Sequence, residues 1–256
     1  LRKIMENGER IQKVLAQAGI ASRREIERMI EDGLIKVNGK KAKTGQKITG
    51  KESIMIGKRT IHLDRRQIDK NDHQYIIYNK PEGEIVSTND PEGRPTVFRN
   101  LPKIKKGKWI AVGRLDINTR GLLIFTTNGE LAHRLTHPSY EIEREYGVRV
   151  YGHVSSEVLN NLQQGVELED GVAQFHNIRE FRSEGSNHWY HVTLSEGKNR
   201  EVRRLWESQE VPVNRLIRIR YGTVNLPRSL KKGKSEEIKK SELKQLFKLV
   251  QLDYPK

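Results

Sequence analysis

The apolar pattern of the sequence changes near residue 74, and this change predicts two structural units. In the first part, apolar residues recur three and four positions apart over residues 11–18, the pattern of one face of a short helix. Ser22 and Glu25 form an S-x-x-E capping box, which predicts the start of a second helix. The pair Asn38-Gly39 predicts a tight hairpin turn, and the apolar residues 54–56 predict a further strand of the same small sheet.

After residue 74 the apolar residues occur mostly in short runs that are typical of strands. Four of these runs lie at residues 75–78, 109–112, 122–125 and 146–150. Helical patterns lie near residues 128–135, 155–162, 200–207 and 241–249, and Asp170-Gly171 predicts another hairpin turn. Because hairpins outnumber strand–helix–strand repeats, we expect an α+β fold with a mixed, mainly antiparallel sheet. The predicted domains are residues 9–60 and 74–250, joined by a charged linker at residues 61–73.

The charge of the chain indicates a polyanionic partner. Lys and Arg number 48 against 33 Asp and Glu, a formal net charge of +15. The first 73 residues hold 18 of the basic and 10 of the acidic residues, so this part is the more basic per residue. Such an excess most often serves nucleic-acid binding, although a surface charged for solubility is the alternative.

Composition also bears on several other classes of protein. The 256 residues include no Cys, which excludes disulfide bonds, a thiolate nucleophile and a cysteine metal site. No apolar run approaches the length needed to span a bilayer, and the first residues do not resemble a secretory signal, so we expect a cytoplasmic protein. Because the sequence begins with Leu1 rather than Met, we expect it to be a piece of a longer chain.

The segment G-R-L-D-I-N-T-R-G at residues 113–121 places Asp116 two residues after Arg114, in a glycine-bounded loop between two apolar strands. We expect an acid in such a loop to face a partly dry cleft, where it is available for catalysis. The alternative is that Asp116 is a turn residue whose side chain binds its own backbone. The loop alone does not decide between these two interpretations.

Residues 113–129 resemble the signature G-R-L-D-x-x-T-x-G-L-L-L-x-T-x-D-G of the RsuA/RluB family of rRNA pseudouridine synthases, with Ile124 in place of Leu and Asn128 in place of Asp. Further blocks match in the same order: Y-N-K-P-E-G at residues 78–83, R-E-Y at 144–146 and E-G-K-N-R-E-V-R-R at 196–204. The N-terminal part resembles the αL RNA-binding fold of ribosomal proteins. Residues 90–98 are most similar to the RluB type, whose members act on large-subunit rRNA.

This resemblance implies a catalytic domain of the pseudouridine synthase type, which flips a uridine out of its stack and isomerises it. Asp116 matches the essential carboxylate, either as nucleophile or as the base for a glycal-type intermediate. Tyr146 matches the tyrosine that stacks on the flipped base, although its apolar strand is also compatible with a core residue. Arg203 matches the arginine that pairs with the Asp and keeps it ionised. Arg114 is expected to fill the gap left by the base or to hold a phosphate.

Further basic residues are predicted to bind RNA. These residues are Lys80, Ser22, Arg23, Arg24, Lys198, Arg200 and Arg204. Ser22 and its neighbours lie at a helix N-terminus, where backbone amides favour phosphate, or where Ser22 is an ordinary cap. For Lys80 a solvated loop cation is the alternative, and for Arg203 or Arg204 an ion pair along the helix.

The resemblance implies partners and excludes cofactors. Substrate and product are uridine isomers, so we expect no redox cofactor, nucleotide cofactor or metal. We expect large-subunit rRNA or a ribosome assembly intermediate as partner, no membrane partner, and a monomer. A non-catalytic RNA-binding protein is the main rival, but it does not explain the matching Asp116, Tyr146 and Arg203. A metal-dependent nuclease is disfavoured because Arg134, between His133 and His137, replaces the Glu of H-E-x-x-H.

Overall fold

The computed structural model describes residues 8–18, 20–61, 73–104 and 107–255. These residues form two compact units, the first from residues up to 73 together with 103–108, the second from residues 74–102 and 109–255. Most of the predicted charged linker, residues 62–72, lies outside the described residues. Within the described residues, no helix has both the length and the apolar character needed to cross a membrane.

The first unit packs two helices against short strands. Its elements are β1 (Glu9–Arg10), α1 (Ile11–Gln17), α2 (Arg23–Glu31), β2 (Ile35–Val37), β3 (Lys40–Lys41), β4 (Lys47–Ile48), β5 (Ile54–Ile56) and β6 (Arg59–Ile61). Four strands pair in the order β3-β2-β5-β6, and β1 pairs with β4. Side chains of both helices and the sheet, among them Leu15, Ile26 and Ile54, share one buried core. The predicted helices, the helix start at Ser22 and the Asn38-Gly39 hairpin are confirmed; of the capping box, the structure shows the bond from the Glu25 N–H to the Ser22 hydroxyl.

The second unit is built on one large sheet. Its strands are β7 (Tyr75–Lys80), β8 (Ile110–Val112), β9 (Arg120–Thr126), β10 (Arg144–Tyr151), β11 (Val166–Leu168), β12 (Gly171–Ala173), β13 (Asn177–Glu184), β14 (Asn187–Leu194), β15 (Val213–Tyr221), β16 (Val224–Asn225) and β17 (Ser235–Glu237). Its helices are α3 (Gly129–Thr136), α4 (Ser156–Gln164), α5 (Glu201–Glu207) and α6 (Lys240–Leu249), with short 3₁₀ helices at Val97–Asn100 and Pro138–Tyr140.

The sheet order is β13-β14-β10-β15-β9-β7-β17, with β16 on β15 and β8 on β9. Among the described strands, only β9 and β15 pair in parallel, which confirms the predicted α+β fold with a mainly antiparallel sheet. Two separate cores flank the β9–β15 junction. One packs α3 and α6 against β7 and β9, and the other packs α4 and α5 against β10, β14 and β15.

Gly121 makes the parallel junction possible. A Cβ atom at this position would lie 2.8 Å from the backbone nitrogen of Arg218 and still closer to its carbonyl oxygen, and the φ angle is +104°. Side chains other than hydrogen do not fit this approach, so the glycine of the G-L-L motif is needed where β9 meets β15. The buried Arg218 adds a hydrogen bond from Nε to the carbonyl oxygen of Leu122 at 2.8 Å.

Candidate active site

A cleft of about 1170 Å³ opens in the second unit beside this junction. The loop after β8, the first half of β10 and the segment before α5 all contribute to its wall. Five of the residues predicted from the sequence line it: Arg114, Asp116, Tyr146, Lys198 and Arg200. Segments that are far apart in sequence therefore meet at one site.

The loop that carries Asp116 is a tight turn. Gly113 enters it with a φ angle of +76°, and the backbone N–H of Thr119 donates to the carbonyl oxygen of Asp116 at 3.0 Å. The turn is thus closed by the backbone of Asp116, while its half-buried carboxylate has no hydrogen bond or ion pair within the described parts of the chain. The interpretation of Asp116 as a side-chain turn former is wrong. Its carboxylate is available to a substrate.

Lys80 holds this loop from below. Its side chain is fully buried, and Nζ donates to the carbonyl oxygens of Pro81 and Asp116 at 3.0 Å and of Thr119 at 2.8 Å. Burial lowers the pKa of Lys80 to about 8, while the nearby carboxylates, Glu84 and Asp116 first among them, partly oppose the shift. A cation with no exposed surface does not reach a phosphate, so the prediction that Lys80 binds RNA is wrong. Lys80 positions the loop that carries Asp116.

Arg203 supports the same loop from α5. Its guanidinium donates to the carbonyl oxygens of Val213 at 2.8 Å and Asn118 at 3.0 Å. Burial is the largest cause of its lowered pKa, and the charge of Arg200 acts in the same direction, while the negative charge of Asp116 opposes them. Asp116 is therefore near enough to act through its charge, but the predicted direct ion pair between them is not present in this structure. Arg203 instead contacts the Asp116 loop through the carbonyl oxygen of Asn118.

Tyr146 lies on β10 at a break in the strand register. The pairing of β10 with β15 shifts between Glu145 and Tyr146, and such an irregularity re-aims the side chains beside it. The ring of Tyr146 is half-buried, packs on the edge of the second core and lines the cleft. Tyr146 thus contacts the core and also borders the cleft, so its position is compatible with both the core and the stacking interpretation.

The three predicted cations around α5 differ in their surroundings. Lys198 lines the cleft, but its Nζ donates to the carbonyl oxygen of Val172 at 2.8 Å and pairs with Glu196 at 2.9 Å. Arg200 is exposed in the cleft wall with a φ angle of +48°. Arg204 does not line the cleft, and its two terminal nitrogens bind the carboxylate of Asp170 at 2.7 and 2.8 Å. The guanidinium of Arg200 pairs with Glu207 at 3.4 Å, the longest ion pair of the three cations, so Arg200 is the least tightly held of them.

Ser22, Arg23 and Arg24 belong to the first unit. Ser22 caps α2, with its Oγ accepting the backbone N–H of Glu25 at 3.1 Å. The side chains of Arg23 and Arg24 are exposed, and no ion pair or hydrogen bond joins either of them to another described residue. The cap interpretation of Ser22 is confirmed, and it leaves the two arginines available to a polyanion.

Two cleft residues, Arg144 and Glu201, were not predicted from the sequence. Arg144 stacks its guanidinium 5.2 Å from the ring centre of Tyr221 and donates to the backbone of Ser195 and Glu196. Glu201 is only 4% exposed, and burial raises its pKa to about 7 despite a hydrogen bond from the backbone of Lys198 at 3.1 Å. Both residues stand inside recognised motif blocks, so motif position was the signal that could have found them.

His133 and His137, the two histidines considered for a metal-dependent nuclease, lie on and directly after α3. The rings of His133 and His137 meet edge to face with centres 5.4 Å apart, and His137 caps the short helix that follows. Within the described residues, no group of three or more His, Asp or Glu side chains has a geometry that suits a metal ion.

Comparisons with known proteins agree on both units. The model of a family described as RNA pseudouridylate synthase matches residues 74–208, and the S4 domain model matches residues 9–54. The chain is 51% identical over 246 residues to ribosomal large subunit pseudouridine synthase B of Yersinia pestis, covering 96% of this chain and 77% of the relative. The protein of that name from Escherichia coli K12 is 52% identical over 244 residues, covering 95% and 84%. A solved structure described as a pseudouridylate synthase superposes with a TM-score of 0.64 at 26% identity, covering 93% of this chain and 99% of the other.

Proposed function

Because the chain belongs to the RNA pseudouridylate synthase family, we propose that it isomerises one specific uridine of large-subunit ribosomal RNA to pseudouridine. The family and fold expected from the motifs are thereby confirmed, including the N-terminal S4 domain. The relatives that match nearly the whole chain are named for the large ribosomal subunit, which supports this choice of substrate and a place of action in the cytoplasm. The observation that carries the proposal is Asp116, which lines the cleft and whose carboxylate is unpaired among the described residues.

The reaction exchanges one glycosidic bond for another. The bond between N1 of uracil and C1′ of ribose breaks, the base turns, a bond forms between C5 and C1′, and the proton of C5 is replaced by one on N1. Asp116 serves either as a nucleophile toward the sugar or base, or as a base that yields a glycal-type intermediate. Both routes require an ionised carboxylate that can approach the nucleotide. The position of Asp116 in the wall of the cleft supports such an approach.

The target uridine is inaccessible to a carboxylate while it remains stacked in RNA. Extruding a nucleotide costs a few kcal/mol and is easiest in loops and bulges. A cleft of about 1170 Å³ has room for a flipped nucleotide, and the ring of Tyr146 in its wall supplies a stacking surface. The exposed Arg114 beside Asp116 is suited to hold a flanking phosphate or to fill the gap left by the base.

Affinity for the RNA is assigned to both units. The exposed Arg23 and Arg24 at the start of α2 lie where helix amides also attract phosphate. Arg200 contributes in the cleft, whereas Lys198 and Arg204 act mainly through their contacts within the protein. We expect catalysis by a monomer, without metal or cofactor, on either naked rRNA or an assembly intermediate.

A map of pseudouridine in total rRNA tests this function directly. Cells that encode this protein are compared with cells from which its gene is deleted, and the deletion should remove one pseudouridine from large-subunit rRNA only. The purified protein should restore that modification in a large-subunit rRNA transcript. An unchanged map, or a loss confined to small-subunit or transfer RNA, would contradict the proposal. Loss of ribosome assembly with an unchanged map would favour the non-catalytic RNA-binding alternative.

A further inference from the structure

The four-stranded end of the large sheet has a second face, turned away from the cleft. Along β10, Tyr146, Val148 and Val150 point to the cleft and the second core, so Gly147 and Arg149 point to the opposite face. No side chain assigned to this opposite face belongs to any of the hydrophobic clusters of the described residues. We call it the back face; its side chains come from β13, β14, β10 and β15.

Cations and an aromatic ring form a line across the back face. The register pairs Arg182 with Trp189, Trp189 with Arg149, and Arg149 with Arg215. Neighbouring strands lie roughly 4.8 Å apart, so this row crosses about 14 Å of surface. Within the row, the guanidinium of Arg149 lies 6.0 Å from the ring centre of Trp189, whose edge covers Gly147.

Two further aromatic side chains are exposed beside the row. Phe181 is 57% exposed, and its ring stacks on that of His191 with centres 4.5 Å apart and planes 23° from parallel. Tyr151, at the end of β10, is 65% exposed. Both rings are open to solvent, and flat rings interleaved with cations are the surface on which unpaired bases stack.

Two arginines of the back face, Arg149 and Arg215, have no ion pair among the described residues. Arg149 and Arg215 stand directly opposite each other on paired strands, an arrangement of like charges that costs stability. Arg215 is exposed. Among the described residues, Glu145 of this face is already bound by Arg220 at 2.9 Å and by His191 at 3.1 Å, and Glu143 pairs with the same arginine. An anion from outside would relieve the repulsion.

We propose that the back face binds an unpaired segment of RNA, with bases on Phe181 and Tyr151 and phosphates on Arg149 and Arg215. This inference rests on the proposed function, because it gives the substrate RNA a second contact remote from the flipped uridine. An acidic protein surface would satisfy the arginines equally well but would not use two separately exposed rings. The combination of stacking rings with unbalanced guanidinium groups therefore favours RNA.

The test measures binding of the full chain to a short, unstructured, fluorescein-labelled RNA of mixed sequence as salt is varied. Phe181→Ala and Tyr151→Ala remove stacking rings, and Arg215→Gln removes one charge. Arg228→Gln is the matched control, because Arg228 is also exposed, lies outside both the cleft and the back face, and has no partner among the described residues. Thermal melting establishes that each variant is folded.

Each ring variant should weaken binding by roughly fivefold or more. Arg215→Gln should lower the salt slope by about 0.7, the value for one phosphate contact to a single strand, and Arg228→Gln should change neither quantity. In parallel, photocrosslinking of the same RNA carrying 4-thiouridine should label peptides of β13 and β14. Wild-type affinity and salt slope in all three back-face variants, with crosslinks confined to other peptides, would overturn the proposal.

These readouts separate the back face from the proposed function. The pseudouridine map tests the reaction in wild-type protein, and a negative map leaves the oligonucleotide measurements unaffected. Conversely, a modified uridine together with unchanged binding by the back-face variants would retain the enzyme and remove the second RNA contact.

Discussion

The Asp116 loop and the N-terminal end of α2 both combine cations with polar backbone groups, yet they use the cations in opposite ways. Behind the loop, Lys80 and Arg203 are buried and donate to carbonyl oxygens. At α2, Arg23 and Arg24 are exposed and have no partner among the described residues. The first pair fixes where a carboxylate stands, whereas the second pair is free to meet a phosphate.

This difference shows that a basic residue near a functional motif does not necessarily bind RNA. A buried ammonium costs free energy that only several hydrogen bonds offset, so Lys80 is useful as an internal clamp and unsuited to a mobile partner. An exposed arginine gives up little hydration until it reaches a phosphate, and its binding is then favoured by counterion release. Substitutions in the two regions should accordingly change different quantities.

The largest expected effect belongs to Asp116→Asn. The amide keeps the shape of the side chain but supplies no carboxylate, so the rate of pseudouridine formation should fall by at least ~1000-fold, while RNA affinity stays within a few fold. Single-turnover assays and filter binding measure the two quantities. Asp253→Asn, a change of an exposed Asp, is the control and should behave as wild type. Multiple turnover by purified Asp116→Asn, free of deamidation, would show that Asp116 is not the catalytic carboxylate.

Lys80→Met tests whether the buried cation stabilises the Asp116 loop, because it replaces the ammonium group by an uncharged side chain of similar length. The carbonyl oxygens of Asp116 and Thr119 lose a donor, although the cost of burying an ammonium also disappears, so the free energy of unfolding should fall by about 2–4 kcal/mol. Denaturant titration measures it. The salt slope of RNA binding should not change; a slope lowered by about 1 would mean that Lys80 contacts phosphate after all. Lys232→Met, on the surface, is the control for loss of one charge.

Tyr146 tests whether the cleft wall acts on the substrate or only packs. Tyr146→Phe keeps the stacking ring, so RNA binding should remain, while loss of the hydroxyl should slow turnover roughly 100-fold if it takes part in proton transfer. Tyr146→Leu should be inactive but folded. Tyr190→Leu, at a fully packed tyrosine on the neighbouring strand, is the contrast and should lose activity through unfolding. If Tyr146→Leu loses activity only in proportion to its folded fraction, Tyr146 is a core residue.

Local patterns were sufficient for much of the fold. The stripe at residues 11–18 and the capping box at Ser22 depend on neighbours along the chain, and the structure has both elements where they were predicted. Strands β13 and β14 were not predicted. Ile178 faces the core while Phe181 faces the opposite side, and the register shifts between Glu180 and Arg182, so β13 does not show a continuous alternation of apolar and polar residues.

For the site, the sequence identified the type of chemistry better than the role of each cation. The motif predicted Asp116 and Tyr146 in one cleft, and the structure brings them together. It did not distinguish the buried Lys80 from the exposed Arg200, because burial is set by contacts across β7, β9 and α5 that no local pattern encodes. Lys80 binds backbone carbonyl oxygens, which every residue type has, so the sequence gives no signal for this interaction.

The double variant Arg23→Gln and Arg24→Gln tests the exposed cations at the N-terminal end of α2. Because neither side chain can then neutralise a phosphate, KM should rise by roughly 5- to 10-fold and the salt slope should fall by about 1–2, with kcat unchanged. Steady-state kinetics over a range of salt concentrations measure all three. Arg28→Gln is the control, because Arg28 lies on the same helix but already faces Glu25 at 3.6 Å. A reduced kcat with an unchanged salt slope would mean that this end of α2 serves the fold or the reaction rather than RNA binding.

The smallest effect concerns Glu201, a buried carboxyl group of the cleft wall, which contrasts with the buried cations Lys80 and Arg203. Its pKa is raised from an ordinary value of 4.5 to about 7, mainly by burial. Folding therefore holds a proton on this carboxyl that the unfolded chain releases. Its contribution to stability is fully present below pH 4.5 and is lost as the pH rises through 7, because the folded protein must then bury a charge.

Glu201→Gln removes that titration while it keeps an oxygen for the backbone N–H of Lys198. At pH 5 the variant and the wild type should melt alike, whereas at pH 8 the variant should be more stable by about 1 kcal/mol, since part of the gain is offset by a weaker hydrogen bond to a neutral oxygen. Denaturant titrations at both pH values measure the difference, with Glu236→Gln as an exposed control. Parallel stability curves of wild type and Glu201→Gln between pH 5 and 8 would show that the pKa of Glu201 is not raised in the folded protein, and that the cleft wall buries an ionised carboxylate.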